Sequence, residues 1–155
     1  MTLEKIISGG QTGVDQIGLR VGKYLGIPTG GTAPKNYKTE KGLEYKLQEY
    51  GLTQSYSDDY AVRTENNVED SDGTVLFGDM TSAGSRQTIM LCLRHKKPYL
   101  CNPDKDMLVN FIDMIPVKTL NVAGNRGSKL TPEQEGDYAT ILVEAINDLL
   151  HELPF

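Results

Sequence analysis

A chain of 155 residues, 38% hydrophobic and 24% charged, carries enough apolar material for one globular domain spanning 1–155 and leaves little room for a second. Lys and Arg number 16 against 21 Asp and Glu, a formal net charge of -5, so the overall field repels nucleic acid and anionic membranes and any anionic ligand must be held by local donors. Two cysteines, no basic-then-apolar leader and no apolar run near ~20 residues predict a cytoplasmic protein without disulfides or a membrane span. His95 and His151 lie too far from either cysteine for a structural zinc site.

The short β-branched run Glu4–Ser8 reads as a strand that stops at Gly9-Gly10, and Thr12-Gly13 leads into a helix with Val14, Ile17, Val21 and Leu25 at helical spacing. Gly18, Gly22 and Gly26 recur at intervals of four, which suits close packing on a sheet and a C-terminal cap at Gly26. From Pro28 to Thr53 the pattern is irregular and polar, a long functional loop with a short helix at Leu43–Tyr50 ending on Gly51. A second short helix is predicted over Thr64–Glu69. Thr74–Phe77 reads as a buried strand breaking at Gly78-Asp79, and the helix after Ser85, with Ile89, Cys92 and Leu93 on one face, ends in Arg94–Lys97 before Pro98. Tyr99–Cys101 is a third strand, Met107 to Ile112 an amphipathic helix, and Lys118–Val122 a fourth strand. Thr131-Pro132-Glu133-Gln134 is a capping box opening a last helix with Tyr138, Ile141, Leu142, Ala145, Ile146 and Leu149 inside. Alternating strands and helices predict a three-layer, Rossmann-like α/β domain with a mostly parallel sheet of about five strands, and ligands in such sheets bind at the carboxyl ends of strands.

Three loops at those ends carry donors. Gly9-Gly10-Gln11-Thr12-Gly13 is a glycine-rich strand-to-helix turn that suits either a phosphate cradle or a purely structural tight turn. It lacks the G-x-G-x-x-G fingerprint, and Gly22-Lys23-Tyr24 is no P-loop. Gly78 to Ser85, with Gly84, Ser85 and Thr88 at a helix start, repeats the logic, with Ser82 or Ser85 as the cap. Gly124, Arg126 and Ser128 follow the fourth strand. Arg63, Thr64 and Asn67 reach the same pocket if their segment folds over the sheet, supplying planar donors for an anion or a pterin-like heterocycle. Glu69, Asp70, Asp72 and Asp79 read as helix ends and solvated acids rather than magnesium ligands, and Cys92 and Cys101 as small buried hydrophobes rather than nucleophiles. No metal or catalytic residue is assigned.

Ser8-Gly9-Gly10-Gln11-Thr12-Gly13-Val14-Asp15-Gln16, Gly30-Gly31 with Pro34-Lys35, Arg63-Thr64, Asn67-Val68, Asp70 to Thr74, and Asn121 to Gly124 with Arg126 and Ser128 resemble the molybdenum-cofactor carrier family, within the wider YpsA-like and LOG-like Rossmannoid group. The resemblance runs through nearly the whole chain in order. It implies a Rossmann-like fold, a homo-oligomer (dimer or tetramer), and a pocket for molybdenum cofactor (molybdopterin) or a nucleotide-like phosphate ligand; the net charge and the lack of a long apolar run separately predict no nucleic-acid or membrane partner. Lys35 joins the residues it assigns to that pocket. Where the family has Gly-Gly-Thr, this chain has Ala83-Gly84-Ser85, whose extra methyl crowds a close phosphate. LOG enzymes, nucleotide N-glycosidases, resemble P-G-G-x-G-T-x-x-E at this loop. Laying Gly84-Ser85 on Gly-Thr puts Thr88 where their catalytic acid stands, and a hydroxyl does not stabilise an oxocarbenium centre as a carboxylate does. Binding is therefore favoured over catalysis. The alternatives are a phosphoribohydrolase using Asp15 or Asp79, and an oligomeric interaction protein with a vestigial pocket.

Overall fold

The computed structural model describes residues 3–151. In chain order these form β1 (Lys5–Ile7), α1 (Val14–Leu25), β2 (Thr29–Ala33), a 3-10 turn (Lys35–Tyr37), β3 (Lys38–Thr39), β4 (Gly42–Leu43), a second 3-10 turn (Tyr45–Tyr50) and β5 (Leu52–Gln54). There follow α2 (Tyr60–Glu69), β6 (Gly73–Phe77), α3 (Ala83–Arg94), β7 (Tyr99–Cys101), α4 (Lys105–Met114), β8 (Thr119–Gly124), a 3-10 turn (Gly127–Lys129) and α5 (Pro132–Leu150). Six strands make one sheet in the order β5-β2-β1-β8-β6-β7 with every pair parallel, and β3-β4 is a separate antiparallel hairpin. This is the expected three-layer α/β fold: α1, α4 and α5 pack together on one face of the sheet and α2 and α3 on the other.

The expectation that 28–53 is one irregular loop is corrected. That segment holds two sheet strands, β2 and β5, besides the hairpin. β2 has the sequence Thr-Gly-Gly-Thr-Ala, which has no β-branched alternation, and it is held by pairing on both sides rather than by propensity. Gly31 is required there: its φ is +125°, and a Cβ would lie 2.1 Å from the Ser8 carbonyl oxygen. The helix expected at Leu43–Tyr50 is a 3-10 turn from Tyr45, closed by Gly51 as anticipated. The helix expected at Thr64 starts four residues earlier, because the Asp59 carboxylate accepts from the Ala61 N–H at 2.9 Å and caps it.

Elsewhere local chemistry sets the elements as the sequence indicates. Thr131 and Gln134 make the reciprocal capping box of α5. Gly26 closes α1 in the left-handed conformation, while added Cβ atoms at Gly18 and Gly22 would come within 2.7 Å of Val122 and 2.6 Å of Thr29, so those glycines lay α1 onto the sheet. The main core lies between the sheet and α1, α4 and α5, where Val14, Phe77, Ile112, Leu120, Leu142 and Ile146 have no exposed surface. Each such side chain contributes about 1.5–3 kcal/mol of burial. Because all six strands run the same way, the segments after β1, β6 and β8 meet at one edge. Among the described residues no helix is long and apolar enough to cross a membrane.

Candidate functional site

The loop after β1 is closed on itself. Gly10 N–H donates to Ser8 Oγ, Gln11 N–H to Asp15 Oδ2 at 3.2 Å, Thr12 N–H to Gln11 Oε1 at 3.0 Å, and Val14 N–H to the Asn125 carbonyl at 3.1 Å. Of the two readings the sequence left open, phosphate cradle or structural turn, these bonds are those of a structural turn. The Asp15 carboxylate stands where an oxyanion would have to sit. Gly13 has φ +82°, and a Cβ there would lie 2.4 Å from the Asn125 oxygen, so glycine lets the start of α1 touch the 124–129 loop. Gly10 makes room for Leu47 and Leu52, and Thr12 Oγ1 accepts from Gly127 N–H at 3.0 Å. Gln11 Oε1 also accepts from Glu40 N–H at 2.9 Å, and Gln11 is the residue of this turn that lines the cavity described next.

Next to this loop lies a cavity of about 720 Å³, walled by the first turns of α2 (Tyr60, Arg63, Thr64) and α3 (Ala83, Gly84, Gln87, Thr88) and floored by Ala123-Gly124. Asn125 fixes its rim: Oδ1 accepts from Asp79 N–H, and Nδ2 donates to the Asp79 carbonyl and to Ser82 Oγ. Ser82 caps α3 by accepting from Ser85 N–H. Among the described residues no group accepts from the N–H of Ala83 or Gly84, and a Cβ at Gly84 would meet nothing within 4 Å. The start of α3 is therefore an open, unsatisfied helix N-terminus facing the cavity. Arg126 and Lys129 add cations to the lining of the same cavity. Arg126 Nε is held 3.3 Å from Glu40 Oε2, and Glu40 also accepts from Ser128 N–H and Oγ, which ties the β3-β4 hairpin to this loop. Desolvation opposes the Glu40 charge, but the bonds from Ser128 and Thr12 and the Arg126 charge outweigh it and hold the carboxyl below its usual value.

Gln11, Arg63, Thr64, Gly84, Thr88, Gly124 and Arg126 thus gather around one cavity, whereas Gly9, Gly10, Thr12, Gly13, Lys35, Asn67, Gly78, Ser85 and Ser128 do not line it. The Asn67 amide clasps β2, accepting from Thr32 N–H at 2.8 Å and donating to its carbonyl at 2.9 Å. Gly78 is clasped in the same way by Asn102. Lys35 sits in the 3-10 turn beyond β2, with its N–H on the Ser57 carbonyl. Ser128 turns to Glu40, and Ser85 is buried in α3 with its hydroxyl unpartnered. Sequence reasoning missed Tyr60, Gln87 and Lys129 as lining residues and Glu40 as the partner of Arg126 and Ser128, and it gave Asp15 a part only as a cap or as the acid of the hydrolase alternative. Asp15 does accept from the loop, but it also pairs with Arg63 Nη1 at 3.2 Å. Burial pushes its carboxyl above the ordinary value, against the opposing pull of Arg63 and the Gln11 and Gly9 N–H groups.

The other acids behave as solvated or capping groups. Asp72 accepts from Lys118 and Thr119 N–H, and Asp79 is turned onto Thr81, whose hydroxyl and N–H hold its carboxyl below the usual range. Glu65, Glu69 and His95 converge within 4.8 Å on the outer side of α2 and α3, where Arg94 also reaches Glu65. Burial raises both the Cys92 and Cys101 thiols, in keeping with inert side chains.

Residues 6–146 match the family model of the circularly permutated YpsA SLOG family, cpYpsA. The chain belongs to that family. Among solved structures it is similar to that of a "Putative molybdenum carrier protein" from Syntrophus aciditrophicus SB, at 32% identity over 94% of this chain and 96% of that one, with a TM-score of 0.82. Among curated proteins none matches. Family membership and this likeness confirm the α/β architecture and the family resemblance carried by the sequence motifs.

Proposed function

We propose that this cpYpsA protein binds a phosphate-bearing small molecule of the pterin or nucleotide class between α2 and α3, as a carrier of molybdenum cofactor or of a related ligand. The observation that carries this reading is the open first turn of α3: two unsatisfied N–H groups, at Ala83 and Gly84, on a cavity that Arg126 and Lys129 also line and that is large enough for a nucleotide-sized molecule. The phosphate sits at this end. The likeness to the Syntrophus protein supports the ligand class. A molybdopterin would be held here through its phosphate, with the Gln11 side chain left for the ring system.

Thermal denaturation with paired ligands tests this. A phosphate-bearing pterin or nucleoside monophosphate raises Tm, by about 2.7 kcal/mol of linkage at 100 times Kd, and its dephosphorylated form raises it much less. Equal shifts from both would remove the anion site. The homo-oligomer implied by the family resemblance is part of the same proposal, and light scattering coupled to gel filtration checks it.

A further inference from the structure

Arg63 is built into the cavity in an unusual way. Its guanidinium lies across Gly9, where a Cβ would fall 2.0 Å from Nη1 and 2.6 Å from Cζ, so only glycine lets the arginine pass down to Asp15. Asp15, with its side chain 4% exposed, takes Nη1 at 3.2 Å. The Tyr60 ring lies 5.5 Å from Cζ. These contacts use one end of the guanidinium only. Nε is buried without a partner, and among the described residues Nη2 has none either. A buried, unsatisfied donor on a charged group is costly to leave unmade, and the Nε/Nη2 edge is the fork that takes two oxygens of a carboxylate or phosphate.

We propose that Arg63 is a second anion subsite of the cavity, besides the first turn of α3, that takes two oxygens of a carboxylate or phosphate on its Nε/Nη2 edge, and that Gly9 and Asp15 are its positioning residues. The ligand then carries a second anionic group. This rests on the proposed ligand site, and it adds a requirement that site alone does not make. Asp15 acts through Arg63: its Oδ2 accepts from both Arg63 Nη1 and the Gln11 N–H.

Inorganic phosphate is the probe, titrated into isotopically labelled protein while the Arg63 Nε–H, Arg126 Nε–H and Gly84 N–H resonances are followed by NMR. The expected result is a saturable shift of Arg63 Nε–H with its own Kd, weakened about tenfold or more in Asp15→Asn and in Gly9→Ala, with the Gly84 response kept within about twofold. If Gly84 moves while Arg63 stays still, the second subsite is overturned and the proposed function stands. If Arg63 moves and Gly84 does not, the α3 site falls alone, and silence at both removes the two together. Asp15→Asn and Gly9→Ala variants that keep the full Arg63 response overturn the positioning role. Should either fail to fold, the wild-type titration still decides the subsite.

Discussion

Substituting Gly84 separates the site from the fold. Gly84 is the second residue of α3, its backbone is helical, and a Cβ there meets no heavy atom within 4 Å. Gly84→Ala therefore creates no clash and removes unfolded-state freedom, and it stabilises the domain by about 0.5 kcal/mol, somewhat less than in a helix interior because the first turn is less constrained. The same methyl tilts toward the helix N-terminus, into the space in front of the Ala83 and Gly84 N–H groups. A phosphate oxygen displaced from one charge-assisted bond loses about 1.5–3 kcal/mol, or roughly ten- to a hundred-fold in affinity. Stability and binding thus move in opposite directions. Urea denaturation measures the first and calorimetric titration with a nucleoside monophosphate or phosphopterin the second. A stabilised variant that binds as tightly as wild type would show that no anion sits at α3.

The remaining expectations use other parts of the frame. Asn67→Ala strips two partners from Thr32 at the α2–β2 seam and costs about 2–4 kcal/mol in urea denaturation, while affinity of the folded protein is unchanged; an unshifted midpoint refutes the clasp. Glu40 has its folded value below the ordinary 4.5, so its contribution is fully present above that pH and is lost as pH falls through the lower folded value. Hydrogen exchange at Ser128 N–H, corrected for intrinsic rate, should stay protected to below pH 4.5; loss of protection well above it contradicts the pairing. Stoichiometric protein should release no free base from a panel of nucleoside monophosphates on long incubation. Thr88, at the position the LOG comparison gives to the acid, lines the cavity with its hydroxyl donated to the Gly84 carbonyl. Base release that vanishes in Asp79→Asn would overturn carriage in favour of hydrolysis.

Most of the fold could be read from residue order because it rests on local signals: the Thr131–Gln134 box, the Gly18 and Gly22 row, and the apolar runs of β6 and β8. β2 and β5 could not be read this way. Thr-Gly-Gly-Thr-Ala carries no strand periodicity, and its residues are fixed by what they approach. Gly31 is a glycine because Ser8 of the neighbouring strand is 2.1 Å from where its Cβ would be, and Asn67, thirty-five positions on, supplies side-chain bonds to Thr32. Such constraints connect residues distant in sequence and leave only an apparent loop of small polar residues behind.

The site was legible in part for a related reason. A glycine-rich strand-to-helix turn looks the same whether its N–H groups await a phosphate or are already taken. The acceptors that take them come from Ser8, Gln11, Asp15 and Asn125, and only the first three are close in sequence. Once Asp15 occupies the first loop, its negative charge needs a cation, and Arg63 is brought over Gly9 to supply it. Of the two readings the glycine motif allows, the bonds are thus those of the structural turn. The carboxylate it accommodates is the protein's own Asp15, and the consequence is an arginine laid across Gly9 into the wall of the cavity, with its Nε buried and unpartnered.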